Sequence, residues 1–525
     1  MIDRHFCSRR PVLLFCVVML IASPRASADK PSADSKEILI GVEYAPLGLA
    51  KEFSKLGVPV AKFYPDELPW GKMQKSATDP IDFRQMDRVI REYHDAGFQE
   101  LVLVIKSYNS WASRGSLIQN ITPKPEYLPS YAAWVKAVVE RYDHDGREDM
   151  PGLKRPVRYF EFGSEFSSFE PEPVEDYLEM LTAGVKSARE ASKNAKLLHA
   201  AFLTTGVLRD HPGPKGIDAA FAAAQKQYGK RVLHKSLADM RAVLDRPELF
   251  DAVNFHALGD PYEIEDIAGW LRQEMKQRKY SKPLIISDTT PTPFIAWGPA
   301  TRATGPLQSL GIVIQPATES DRPRLAAYFQ KLIDNDTEAL GWTHEFVAAD
   351  MVQKIVVAAE QEIELINTSF MEDLFPFKFK LAQAGAGTSA WGGMADVSLN
   401  LLKQTRTINN LRPSFFAIQQ VQRVIKGYDR VERVSETNSR LRVYRFRKGS
   451  SSAWVAWLDP NKLLLPGDAV PQAPLTLNVG SGSFVVEPLQ LRTDGQTEDR
   501  ETVNRQGNTL KLMLTPHPVF VRPKR

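Results

Sequence analysis

The chain has 525 residues, 43% hydrophobic and 25% charged, with a formal net charge of +4. This is the composition of an ordinary globular protein with ample material for a core, of a length that suggests two or three domains. So small a charge gives no electrostatic case for nucleic acid or an anionic membrane as partner.

The first element is a leader. "MIDRHFCSRR" carries three arginines, "PVLLFCVVMLIA" is unbroken apolar sequence, and "ASA" precedes Asp29. That order predicts a secretory signal peptide over residues 1–28, cleaved after Ala28, and a periplasmic or secreted protein. "SRRPVL" also partly matches a twin-arginine export signal. An uncleaved membrane anchor is the other reading of the apolar run, although the run is short for a span. No later stretch approaches ~18 apolar residues, so the mature chain is expected to have no membrane span. Cleavage removes Arg4, Arg9, Arg10, Arg25 and Asp3, which lowers the net charge to +1. It also removes Cys7 and Cys16, the only cysteines. The mature chain then has no disulfide, no thiolate metal site and no cysteine nucleophile.

From residue 37, β-branched and aromatic runs alternate with amphipathic stretches. The runs are 37–44, 58–64, 100–108, 157–165, 196–203, 251–258, 282–289 and 362–370. Helical patterns over 81–97, 128–142, 174–190 and 266–280 lie between them. Strands alternating with helices imply a parallel sheet, and eight of them imply a (β/α)8 TIM barrel. An open doubly wound sheet is the alternative, weakened because no Gly-rich phosphate loop follows the first run. Residues 206–235 read as an insertion with a helical middle. Residues 290–320, rich in Pro, Thr, Gly and Ala, read as an elaborated active-site loop. The last barrel helix is expected over 413–427. Short alternating strands separated by Gly, Asp, Asn and Pro follow it, which predicts a small all-β sandwich. The expected organisation is a barrel over 29–428 and a sandwich over 429–525.

The fourth run, "VRYFEFGSEF", plants Glu161 and Glu165 among aromatic residues. Carboxylates avoid apolar surroundings unless paired or used. Strand alternation puts Glu161, Gly163 and Glu165 on one face and Phe160, Phe162 and Ser164 on the other. With the aromatics under the helices, both glutamates point into the barrel. Four residues of strand rise about 13 Å, too far for a working pair of glycosidase carboxyls. Glu165 closes its run, at the end where barrel enzymes hold their active sites. Glu161 lies deeper and is expected to pair with Lys62. A second acid at another strand end, Asp288 of "KPLIISDT", could face Glu165 across the mouth, as glycosidic bond cleavage requires.

These motifs resemble those of a clan A glycoside hydrolase of the family 39 or family 5 type. "VRYFEFGSEF" is similar to the fourth-strand motif that ends in the acid/base Glu, and "KPLIISDTTP" to the seventh-strand motif that ends in the nucleophile. "VAKFYPDELPWG" with "DFRQMDRVIREYHDAGFQELVLV", and "FDAVNFHAL", resemble the second-to-third-strand and sixth-strand segments. The tail resembles the appended β-sandwich, so the likeness spans nearly the whole mature chain. It implies a barrel hydrolase acting on a polysaccharide or oligosaccharide, without cofactor or metal, by a retaining mechanism with Glu165 as acid/base and Asp288 as nucleophile. Two positions depart from the pattern. Ser164 stands where an Asn normally binds the sugar 2-hydroxyl, and Asp288 stands where Glu is usual. The shorter Asp could widen the pair toward inverting geometry. A carbohydrate-binding barrel without catalysis, serving polysaccharide export or sensing, is the alternative these departures motivate.

Other residues fall near the expected mouth. His256 would hydrogen-bond the nucleophile or the substrate, or else serve as a satisfied interior histidine. Asn254, on its face, reads as structural. Trp70, Trp111 and Trp297 follow the second, third and seventh runs, and Trp391 follows the eighth. An indole face stacks on a pyranose, so at least one is expected to form a sugar platform, although each singly reads more readily as core packing. Tyr108 and Lys106 end the third run within reach of a substrate. The histidines form no zinc-binding spacing, and there is no Gly-x-Ser-x-Gly elbow.

Overall fold

The computed structural model describes residues 37–525 except 64–68, 116–121, 167–171, 205–206, 209, 229–234, 293–320, 369, 374–390, 401–404, 429, 435, 495–500, 504–507 and 525. Each of the eight apolar runs supplies one strand: β1 (Leu39–Ala45), β2 (Val60–Phe63), β3 (Glu100–Ile105), β4 (Tyr159–Glu165), β5 (Lys196–Leu203), β6 (Val253–His256), β7 (Leu284–Asp288) and β8 (Leu365–Thr368). All pairings are parallel, and β1 pairs with β8, so the barrel closes. Closure leaves no unpaired strand edge among the eight.

The helices follow their sequence signals. Arg84–Asp95 buries Met86, Val89, Ile90 and Tyr93 at helical spacing. It stops where Gly97 takes φ +102°, with Phe98 N–H returning to the Tyr93 carbonyl at 3.1 Å. That is the Schellman closure, which needs a left-handed residue. Leu128–Tyr142, Val174–Ala191 and Glu263–Gln277 occupy the other expected stretches, and Gly213–Tyr228 forms within the 206–235 insertion. Thr337–Glu360 is a long helix with buried residues on all sides, among them Val347, Met351, Val352, Ile355 and Val356. Pro413–Ile425 packs against it. Among the described residues, no helix is long and apolar enough to cross a membrane.

Inside the barrel, the layers change character from bottom to mouth. Val60, Val102, Tyr159, Leu198, Ala252, Ile285 and Leu365 form an apolar floor. One residue pair higher along the strands come Lys62 and Glu161, both wholly buried. Gly41 belongs to this level, where a Cβ would lie 2.0 Å from Asn367 Oδ1. The missing side chain makes room for Asn367 to donate to the Ser287 carbonyl at 3.1 Å.

A hairpin, β9 (Ala395–Asn400) and β10 (Thr405–Leu411), separates β8 from the last helix. The remaining strands form the expected sandwich: β11 (Arg430–Arg433), β12 (Leu441–Lys448), β13 (Ser451–Leu458), β14 (Ala473–Asn478), β15 (Phe484–Pro488), β16 (Glu501–Val503), β17 (Thr509–Leu514) and β18 (Val519–Pro523). An antiparallel six-stranded sheet, ordered β11-β12-β13-β18-β15-β16, packs on the pair β14-β17. Alternation explains why "AWVAWL" is apolar throughout. Trp454, Ala456 and Leu458 face the sandwich core, while Ala453, Val455 and Trp457 join the barrel's hydrophobic core. Trp457 also donates its indole N–H to Tyr262 of the barrel at 2.9 Å.

Candidate active site

The two predicted acids come to the mouth through irregular strand pairing. Along β4, Phe162 faces His199 but Glu165 faces Ala201, a slip of one residue. Gly163 lies at the slip with φ +96°, a conformation glycine adopts without penalty. Along β7, Phe255 faces Ile286 while His256 faces Asp288, so Ser287 is the extra residue of a bulge. A bulge breaks alternation locally. Here it lets both Ser287 and Asp288 approach the same histidine ring.

That ring, His256 at the end of β6, organises the site. Its Nδ1 is 3.1 Å from Glu165 Oε1 and 4.0 Å from Asp288 Oδ2. Its Nε2 is 3.2 Å from Ser287 Oγ and 4.0 Å from Glu161 Oε1. Ser287 Oγ donates to Glu161 Oε1 at 3.2 Å. Glu161 Oε2 pairs with Lys62 Nζ at 3.0 Å, the ion pair expected from the sequence. Lys62 also reaches Glu43 Oε1 at 3.3 Å and donates to the Ser287 carbonyl at 3.2 Å.

Burial sets the protonation states. It pushes the Glu165 carboxyl up to about 7, against the lowering charges of Lys62 and Lys106. It also raises Asp288, which His256 and Lys62 pull down and Glu165 and Glu161 push up. The His256 imidazole is driven down to about 4 by burial, against the opposing pull of Asp288. At neutral pH it is therefore uncharged, and its contacts with the acids are hydrogen bonds between neutral or singly charged groups. Burial raises Glu43 well above the carboxylate range, with Lys62 opposing. Burial disfavours the Lys62 charge, but Glu161 and Glu43 outweigh it and hold the ammonium above its ordinary range.

Glu165, His256 and Asp288 each offer one donor atom within 4.8 Å of the other two. A cation could span that distance, but the Glu165–His256 hydrogen bond joins two of the three atoms directly. A second acidic group, Asp143, Asp145 and Asp149, lies in the loop before β4, away from the mouth. There Asp149 caps the backbone N–H groups of His144 and Gly146.

The structure separates the remaining sequence candidates. Ser164 is half-buried beside Glu165, and Tyr108 and Lys106 are half-buried at the end of β3. Asn254 is wholly buried and donates to the His199 carbonyl at 3.1 Å, a structural role. Trp70 is no sugar platform: it is 0% exposed and packs against Trp111, Tyr131 and Trp134. Trp391 is 4% exposed, in a satellite core with Phe329 and Leu465, and is likewise packing. Trp111 is half-buried, its N–H given to the Gln74 carbonyl at 3.2 Å. Trp297 lies outside the described residues. The expected 13 Å between Glu161 and Glu165 also needs correction. Strand rise is not the carboxyl separation: with the slip at Gly163, both carboxyls reach one imidazole. Glu43 and Ser287 were missed. Glu43 carried the signal that marked Glu161, an acid in an apolar run, whereas a serine beside a predicted acid carries none.

One oxygen each of Glu165 and Asp288 lie within 4.8 Å of one another. A closed eight-stranded barrel thus brings carboxyls from β4 and β7 together over its C-terminal mouth, with a β-sandwich behind it. Solved structures bear out this fold. A family 39 glycoside hydrolase from the gut symbiont Bacteroides cellulosilyticus WH2 superposes with a TM-score of 0.57 at 12% identity, over 94% of this chain and 82% of that one. A monomeric beta-xylosidase from Caulobacter crescentus CB15 gives 0.52 at 12% identity, over 94% and 97%. A glucosidase from Croceicoccus marinus gives 0.52 at 13%, again over 94% and 97%. No family model and no curated protein matches the sequence.

Proposed function

We propose that the protein is an exported glycoside hydrolase that cleaves O-glycosidic bonds of an oligosaccharide or polysaccharide with retention of configuration. The observation that carries this reading is the approach of Glu165 and Asp288, one oxygen of each within 4.8 Å of the other, at the mouth of the closed barrel. Retaining enzymes hold their carboxyls ~5–5.5 Å apart, inverting ones ~6.5–9.5 Å. In the first step Asp288 attacks the anomeric carbon while Glu165 gives its proton to the departing oxygen, and a glycosyl ester forms. In the second, ionised Glu165 takes a proton from water, whose oxygen attacks the same carbon and frees the Asp288 carboxylate. A Glu165 pKa of about 7 suits a group that must first donate and then accept.

The neighbours named as a beta-xylosidase and a glucosidase set the first substrates to try: aryl xylosides and glucosides, xylan and β-glucan. Wild type should turn over at least one of them, with the first-formed sugar keeping the anomeric configuration of the substrate by NMR. Glu165→Gln and Asp288→Asn should each lower kcat by roughly 10²–10⁴-fold. Hydrolysis that survives both substitutions rejects the assignment. Saccharide binding with no turnover in wild type would favour a binding protein instead.

A further inference from the structure

We propose that Glu161 and Ser287, acting through His256, fix the position of the proton on Glu165, and so serve as positioning residues for the acid step. The inference deepens the reading of Glu165 as the acid and rests on it. It follows from hydrogen-bond polarity along one buried chain of contacts: Lys62, Glu161, Ser287, His256, Glu165.

Glu161 is the fixed end. Its Oε2 lies 3.0 Å from the Lys62 ammonium and its Oε1 3.2 Å from Ser287 Oγ. A carboxylate held by an ammonium accepts only, so the Ser287 hydroxyl must donate to it. That hydroxyl has one proton. Toward His256 Nε2, 3.2 Å away, it can therefore only accept. Nε2 must carry the hydrogen, and in a neutral imidazole Nδ1 is then bare. Facing Nδ1 at 3.1 Å is Glu165 Oε1. A hydrogen bond forms there only if Glu165 supplies the proton. The opposite polarity would set the serine oxygen lone pairs against a carboxylate oxygen in a site from which water is excluded. It would therefore cost an unmade bond to a charged group.

Ionised Glu165 would likewise present its oxygen to the lone pair of Nδ1. The chain thus penalises loss of the Glu165 proton in the empty site. Other charged or titratable groups bear on the same space: Glu43 from β1, Lys62 from β2, Lys106 after β3 and Asp288 from β7. Asp288 Oδ2, 4.0 Å from Nδ1, is beyond hydrogen-bond reach. Among the described residues, the Glu161–Ser287 link sets the direction of the His256–Glu165 hydrogen bond.

Glu161→Gln reverses the polarity. Its carbonyl can stay with Lys62 while its NH2 donates to Ser287 Oγ. The hydroxyl then donates to His256 Nε2, and Nδ1 gains the hydrogen and donates to ionised Glu165. The test reads the His256 tautomer from long-range proton–nitrogen NMR spectra, with the resonance assigned by its loss in His256→Gln, alongside the pH profile of kcat/KM. Wild type should show the hydrogen on Nε2. In Glu161→Gln it should move to Nδ1, and the alkaline limb of the profile should fall by about one pH unit. If Glu161→Gln does not fold, Ser287→Ala and Ser287→Thr replace it. The alanine should lose the tautomer preference and lower the limb, and the threonine, which keeps the hydroxyl, should restore both. A wild-type hydrogen on Nδ1, or a tautomer and limb indifferent to these substitutions, overturns the proposal. The NMR readout needs no substrate. A protein with the expected tautomers but no hydrolysis therefore sinks the hydrolase reading and leaves the polarity standing.

Discussion

Glu165→Gln should stabilise the fold at high pH and do so less as the pH falls. Glu165 sits in the folded protein with its carboxyl near 7 because burial disfavours the charge. In the unfolded chain a glutamate titrates near 4.3. The folded value is the higher one, so the wild type has its full stability below about 4 and loses it as the pH rises to 7. The loss per unit is about 1.4 kcal/mol. By pH 5 roughly 1 kcal/mol has gone and by pH 8 nearly 4, an interval of about 3 kcal/mol. Because the side chain is 11% exposed, residual solvation reduces this to about 2 kcal/mol. Glutamine does not ionise, and its N–H can still meet the bare Nδ1 of His256. The assay is urea unfolding of both proteins at pH 5 and pH 8. The stability difference in favour of the variant should grow by about 2 kcal/mol between them. A difference that stays constant with pH, or grows toward pH 5, refutes the claim that the acid is held protonated by its surroundings.

Two further outcomes test the layers beneath the site. Lys62→Met removes the cation paired with Glu161 in a place neither side chain can reach water, and should cost about 3–5 kcal/mol in urea unfolding at pH 7. A loss under ~1 kcal/mol would mean Glu161 has another neutralising partner. Trp70→Ala should lower stability by about 3–5 kcal/mol through the cavity it leaves among Trp111, Tyr131 and Trp134. A raised KM with stability intact would return Trp70 to the substrate.

The barrel was legible because each of its strands is buried on both faces, and such strands stand out as short apolar runs. The Glu161–Lys62 pair was legible for the same reason: a charge inside such a run must find its opposite. The long helix Thr337–Glu360 was not. Barrel strands, helix Pro413–Ile425 and the sandwich cover it from several directions, so it shows no single apolar stripe to mark it as a helix. Bulges are hidden in the same way. Gly163 hints at one, but nothing in "LIISD" says that Ser287 and Asp288 will turn to the same ring. The tryptophans failed for a different reason. Adjacency to a strand end places an indole near the mouth, yet whether its faces are free depends on residues such as Trp134, far away in sequence.

The place of β18 in the sheet bears on how the chain reaches this state. Although latest in sequence, Val519–Pro523 lies between β13 and β15, bonded to both. The sheet therefore cannot zip together from successive neighbours. Until that segment arrives, Trp454 and Val455 on one side and Val485 and Val486 on the other present raw strand edges, inviting the wrong partner. Maturation of the whole molecule waits on five residues, and a lesion there should appear first as aggregation of newly made chains, well before any defect in the chemistry.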